Sequence, residues 1–155
     1  MQVICQCETI SFAIPSPTPL DVYHCHCLEC QKQSSSAFGT SAIFPAEDIF
    51  PLSPDVEANL GKWTRPANAR RTMDCYFCKE CGSRVMHRIR EPDGTERGTV
   101  SVKGGLVQGL EWSGAKHIYT RTAVVPIPEG VVRYEGAPPA MPGRKDGKEE
   151  GENMK

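Results

Sequence analysis

Polar and apolar residues alternate along short stretches of this chain with a period close to two, and nowhere sustain the 3.6 period of an ordinary helix. Over residues 1–14, Ile4, Ile10, Phe12 and Ile14 share one parity while Val3, Cys5, Cys7 and Ala13 share the other. This predicts a strand with Cys5 and Cys7 pointing the same way. Pro15, Pro17 and Pro19 interrupt it before residues 21–27 resume an extended course. Polar residues 31–36 read as a wrap around the cysteines before them. Residues 38–44 read as a strand ending at Pro45, and 46–50 as a single helical turn. From 55 to 69 the pattern is weak, with Leu60 and Trp63 as the expected anchors of a short strand and Pro66 marking a loop. Residues 72–77 are extended again. Residues 83–90 and 98–103 flank a Pro92-Asp93-Gly94 turn and predict a hairpin. Residues 116–120 and 131–134 read as short final strands, and no internal repeat is present beyond the cysteine pairs.

The expected fold is therefore mostly β, a single domain of small antiparallel sheets over residues 1–136. Residues 137–155 are proline, glycine and charge, with almost nothing to bury, and predict a disordered tail. A chain of 155 residues with a formal net charge of -1 suits one moderate core and has no global pull toward nucleic acid or an anionic membrane. No run is long and apolar enough to cross a bilayer, and Met1-Gln2-Val3-Ile4-Cys5 lacks the basic start and apolar stretch of a secretory leader. A cytoplasmic setting is expected, with no membrane or nucleic-acid partner. The sequence sets no oligomeric state.

The eight cysteines change the picture. In a reducing compartment, cysteines so closely spaced read as metal ligands or catalytic groups. The alternative is a secreted domain with four disulfides. Cys25, Cys27 and Cys30 form a C-x-C-x-x-C run that can offer three sulfurs to one tetrahedral zinc, with no obvious fourth ligand nearby. Structural zinc sites are closed by four protein ligands and catalytic ones keep a position open, so this site reads as open. Cys78-Lys79-Glu80-Cys81-Gly82 is a zinc-knuckle signature, its glycine allowing a tight turn with positive φ. With Cys5 and Cys7 it makes four sulfurs, enough to close a structural zinc that clamps the N-terminal strand to the hairpin. Cys75 overlaps the knuckle as a second C-x-x-C. It reads either as a small hydrophobe on its strand or as a fourth ligand to the open site.

Cys5-Gln6-Cys7, Cys25-His26-Cys27-Leu28-Glu29-Cys30 and Phe77-Cys78-Lys79-Glu80-Cys81-Gly82-Ser83, in that order, resemble the family of glutathione-dependent formaldehyde-activating enzymes and centromere protein V. The resemblance covers about residues 1–134. It implies a tent-like arrangement of small β-sheets and two zinc ions per chain. It also implies a structural zinc on Cys5, Cys7, Cys78 and Cys81 and a catalytic one on Cys25, Cys27 and Cys30. This chain departs from the family at the first arm, where Ile4 and Glu8 stand where relatives commonly carry glycines.

The expected chemistry is a carbon-sulfur lyase or adduct-forming reaction. A thiol, glutathione or another small one, binds the open metal, ionises at neutral pH, and attacks an aldehyde such as formaldehyde. His24, His26, Lys32 and the serines at 34–36 are local candidates to stabilise the added negative charge. Arg84, Arg88 and Arg90 share a strand parity and either meet the carboxylates of glutathione or form a solvated face. Lys103 and Lys116-His117 read as pocket edges or as ordinary turns, and Trp63 and Trp112 as core or rim anchors. The alternative to an enzyme is a zinc-centred binding module, either a glutathione carrier or a docking domain for protein, nucleic acid or cytoskeleton.

Overall fold

In the computed structural model, residues 1–139 are described. The first of them make a hairpin, not the expected single strand. β1 (Gln2–Ile4) pairs antiparallel with β2 (Ser11–Ala13), so Cys5 and Cys7 lie in the connecting turn. The turn closes because the Glu8 N–H donates to the Cys5 carbonyl and the Cys5 N–H to the Ile10 carbonyl, each at 3.0 Å. Next come β3 (Asp21–Cys25), α1 (Leu28–Ser34), β4 (Gly39–Pro45), a 3-10 turn at Ala46–Asp48 and α2 (Pro54–Asn59). The remaining strands are β5 (Leu60–Pro66), β6 (Thr72–Cys78), β7 (Arg84–Arg90), β8 (Glu96–Lys103), β9 (Val107–Gln108) and β10 (Lys116–Ile118).

The mostly β fold consists of two sheets. A three-stranded sheet runs β2-β1-β9 and a seven-stranded one runs β10-β3-β4-β8-β7-β6-β5. All pairings are antiparallel except β10 with β3. The main core lies between the sheets, where Val3, Ile10, Ile14 and Val107 meet Val22, Ala42, Phe44, Met86, Val100 and Val102. Period-two alternation explains that set. The residues between them, among them Tyr23, Ser41, Ile43, Ser101 and Lys103, must leave the opposite face of the seven-stranded sheet.

The β7–β8 hairpin, the strands at β4 and β6 and the turn at residues 46–48 lie where the alternation predicts. Both short helices were hidden, because about two turns carry too little periodicity to register. The polar stretch at 31–36 is mostly α1, capped by Cys27 at its start and by Ser35, at φ 49°, at its end. α2 starts on Ser53-Pro54, with proline in its first turn. Residues 131–134 are not a strand. They meet β10 through a single bridge between His117 and Arg133, flanked by two 2.9 Å backbone hydrogen bonds. Trp63 is 52% exposed and anchors no core, since its parity sends it to the face opposite buried Leu60. The expected tail at 137–155 lies, from residue 140 onward, outside the described residues. Among the described residues no helix is long and apolar enough to cross a membrane.

The arginines of β7 divide. A bulge sets Tyr76 opposite Met86 but Phe77 opposite Arg84, so Val85 is extra and Arg84 turns to the face that carries His87. Arg90 pairs with Asp74 (3.2 Å) and Glu96 (2.9 Å), and Arg88 also pairs with Glu96. Asp74 is buried where β5, β6 and β7 meet and accepts from the Thr64 hydroxyl at 2.6 Å. Burial pushes its carboxyl up, but Thr64 and Arg90 outweigh that and hold it below the usual value. A depressed folded-state pKa gives stability that is present above the unfolded value, about 3.9, and lost as pH falls through the folded one. Asp74→Asn is expected to lower unfolding free energy at pH 7 by about 1.5–3 kcal/mol in urea titrations. The gap to the parent protein should narrow as pH drops below about 4.

Candidate functional site

The cysteines gather into two groups. Cys5, Cys7, Cys78 and Cys81 have sulfurs all within 4.8 Å of one another, as do Cys25, Cys27 and Cys30. All eight thiols are free, so the four-disulfide alternative is not realised.

In the first group the β1–β2 turn meets the turn after β6. Cys7 Sγ lies 3.6 Å from Cys5 Sγ and 3.7 Å from Cys78 Sγ, and the Ile10 N–H donates to Cys5 Sγ at 3.2 Å. Gly82 takes φ 72° and donates to the Cys78 carbonyl at 3.0 Å, closing the knuckle. Glu8 takes φ 66° on the other arm, a left-handed conformation that resists a β-carbon. The Thr9 and Ser83 side chains, beside Cys7 and Cys81, hold those thiols below their ordinary value, while burial pushes Cys78 up to about 11.

The second group forms where β3 runs into α1. Cys25 ends β3, Cys27 is the N-cap of α1, and Cys30 lies in its first turn, where its N–H donates to Cys27 Sγ at 3.4 Å. Gly39, opposite Cys25 on β4, lets the helix come down. A β-carbon there would stand 3.0 Å from the Gln33 amide nitrogen and 3.3 Å from Cys30 Cβ. Gln31 ties the helix to the chain after β10, donating to the carbonyls of His26 (2.7 Å) and Thr122 (2.8 Å). Tyr23, Ile43 and Ile118 pack with Cys25 and Cys30, and Tyr119 and Tyr134 border them.

Three thiols at one point cannot all ionise without a cation. Hydrogen bonds with Cys25 and Cys30 pull Cys27 far down, and the same contacts with burial push Cys25 far up. For Cys30, Cys25 pulls down but Cys27 and burial outweigh it. A divalent ion removes that conflict by stabilising every thiolate at once. Among the described residues this group has three members and the first has four. Both donor sets are thiol-only and fit a thiophilic metal.

Cys75 joins neither group. It is fully buried on β6, four strands and roughly 19 Å from β3. The local donors named from sequence are turned elsewhere. His24 and His26 enter a ring nest with Phe38 and His117, where His26 Nε2 lies 2.9 Å from His117 Nδ1 and His24 Nδ1 lies 2.8 Å from the Thr40 hydroxyl. Trp112 stacks on His24. Lys32 pairs with Glu29 at the surface, and the Ser34 hydroxyl donates to the Cys30 carbonyl at 2.7 Å. What the fold brings to the three thiols instead is Tyr23, Tyr119 and the buried ammonium of Lys103. Lys103 was legible as a charge on an alternating Val100-x-Val102 strand, and Tyr23 as sharing the parity of Cys25.

Site and fold together define a class, a mostly β protein with two thiol clusters able to hold metal ions. Residues 1–122 match the family model described as Glutathione-dependent formaldehyde-activating enzyme, and the chain belongs to that family. No curated protein matches the chain in a sequence comparison.

Metal loading followed by native mass spectrometry is expected to show two ions per chain, with affinity falling as pH drops because the thiols must lose protons to bind. Cys81→Ser should lower the stability of the loaded protein by about 4 kcal/mol or more, roughly 10 °C in melting temperature. Glu8→Gly should raise stability by about 1 kcal/mol in denaturant melts by relieving the left-handed backbone.

Proposed function

We propose that this protein is a zinc-dependent carbon-sulfur lyase or adduct-forming enzyme. It joins glutathione to an aldehyde such as formaldehyde, or releases the two, at a metal held by Cys25, Cys27 and Cys30. Cys5, Cys7, Cys78 and Cys81 hold a second, structural zinc. The observation that carries this reading is the three-thiol group with no fourth donor among the described residues, in a chain of this family. Zinc, when bound, supplies the positive charge that lets a substrate thiol ionise at neutral pH.

The residues do the rest. In the forward direction the sulfur-carbon bond forms as the carbonyl π bond breaks, and the thiol proton ends on the former carbonyl oxygen. Burial and the neighbouring Cys25 and Cys27 raise the Tyr119 phenol above its ordinary value, so it stays protonated and is a hydrogen-bond donor at neutral pH. The Lys103 ammonium offsets part of the negative charge that a further thiolate brings to Cys25 and Cys30. Tyr23, Ile43 and Ile118 hold two of the three sulfurs in an apolar seat and exclude water from that side, which favours proximity over free solution. Free cysteines in two tight groups fit a reducing, cytoplasmic compartment.

Exchange NMR on glutathione and labelled formaldehyde should show S-hydroxymethylglutathione forming faster with the zinc-loaded protein than without it. Cys30→Ala should abolish that acceleration while the protein stays folded with one bound metal. Retained turnover in the variant would remove the role given to Cys30. Glutathione binding without acceleration would make the protein a carrier.

A further inference from the structure

The face of the seven-stranded sheet that carries Cys25 continues past the cysteines as a polar row. Ser41 stands opposite Lys103, Ser101 opposite His87, His87 opposite Cys75, and Cys75 opposite Trp63, so the row crosses from β4 to the edge strand β5. Arg84 joins it only because of the β7 bulge. Its Nη1 donates to His87 Nε2 at 3.0 Å, and its guanidinium carbon lies 6.0 Å from the centre of the Trp63 ring. Arg65, on the same parity of β5 as Trp63, sets a third cation on this face.

None of Lys103, Arg84 and Arg65 has a carboxylate partner among the described residues. The arginines of the opposite face and of the hairpin end, Arg88, Arg90, Arg71 and Arg97, are all ion-paired. The contrast is sharpest at Lys103, which is only 8% exposed and whose ammonium donates to the Ser41 hydroxyl at 3.3 Å. A buried ammonium without an acid is costly unless something anionic completes it. Burial first, and after it the charges of Lys103, Arg84 and Arg65, hold His87 well below its ordinary value.

The dimensions suit one ligand class. From β4, beside the cysteine group, to β7 is two strand spacings, about 10 Å. From the central thiol of a tripeptide an end carboxylate reaches about 7 Å, and the Arg84 side chain spans the remainder. We propose that Lys103, Arg84 and the exposed Trp63 form an anion subsite that binds the carboxylate end of a peptide thiol whose sulfur sits at Cys25, Cys27 and Cys30. The position of the sulfur rests on the function proposed above. Arg84 takes the carboxylate, Trp63 covers the peptide plane from the sheet edge, and Lys103 lies between the carboxylate and the sulfur. The subsite selects acidic peptide thiols over small neutral ones.

The test separates the subsite from the reaction. Calorimetry on the zinc-loaded full chain would use γ-glutamyl-2-aminobutyryl-glycine, which has a methyl group in place of the glutathione thiol, and its carboxyl diester. The free acid should bind, and the diester should bind roughly 10- to 100-fold more weakly. Arg84→Gln should weaken the free acid by a similar factor and leave the diester unchanged, and Arg84→Lys should recover part of the loss. Equal affinities of acid and diester for the parent protein, or no binding of the acid, would overturn the proposal without recourse to any variant. Carboxylate-dependent binding in a protein that fails to accelerate adduct formation would keep the subsite and remove the activity. Turnover with carboxylate-independent binding would do the reverse.

Discussion

The constraint on which this structure depends is the two-sidedness of the seven-stranded sheet. Successive side chains leave opposite faces, so every central strand serves two environments at once. On β4 and β8, Ala42, Phe44, Val100 and Val102 go to the core under the small sheet, while Ser41, Ser101 and Lys103 go to the cysteine face. The same rule separates neighbours at the end of β3, where Cys25 enters the thiol group and His24 enters the ring nest behind it. The rule also divides the two thiol clusters. Cys5 and Cys78 belong to the main core, and Cys25 and Cys30 to the smaller apolar cluster on the other face.

Charge is sorted along with polarity. Asp74, Glu91 and Glu96 collect Arg71, Arg88, Arg90 and Arg97 around the β6–β7–β8 hairpins, where partial burial makes such pairs and their hydrogen bonds contribute. Among the described residues the cations on the cysteine face have no carboxylate partner, and Cys30 and Cys25 favour the charged form of Lys103 against its burial. A face built this way holds anionic sulfur better than an evenly paired one would. Behind it, the 2.9 Å contact between His26 and His117 and the Gln31 and Thr122 hydrogen bonds to the His26 carbonyl fasten the cysteine turn to β10. The histidines next to the cysteines in sequence thus act as a buttress for the turn.

Much of this was legible beforehand. The spacing of the cysteines divided them into an arm at 5 and 7, a knuckle at 78 and 81 and a run at 25, 27 and 30, and the fold brings together those groups. Spacing is a local property, and short C-x-C and C-x-x-C segments place sulfurs near one another in almost any turn. The strands at 38–44, 72–77 and 83–103 were legible for a related reason, since alternation over five or more residues is itself the imprint of a half-buried sheet. The hairpin within residues 1–14 was not, because the core-facing parity switches across the turn, from odd at Val3 to even at Ile10 and Ile14, and Ile4 on the even side masks the switch.

What the sequence determined by itself was the grouping of the thiols by spacing, while the place of Cys75, small hydrophobe or fourth ligand, stayed open until the fold put it on β6 away from the run. What only tertiary structure decided was the company those thiols keep. Lys103, Tyr119 and Arg84 are far from the cysteine run in the chain. They come to its face through strand order, register and one bulge at Val85, which are set by long-range backbone pairing. A single inserted residue on β7 moves Arg84 from the face of Arg88 and Arg90 to that of His87. Parity counted along the sequence cannot register such a step, because the bulge exists only where β6 and β7 are already paired.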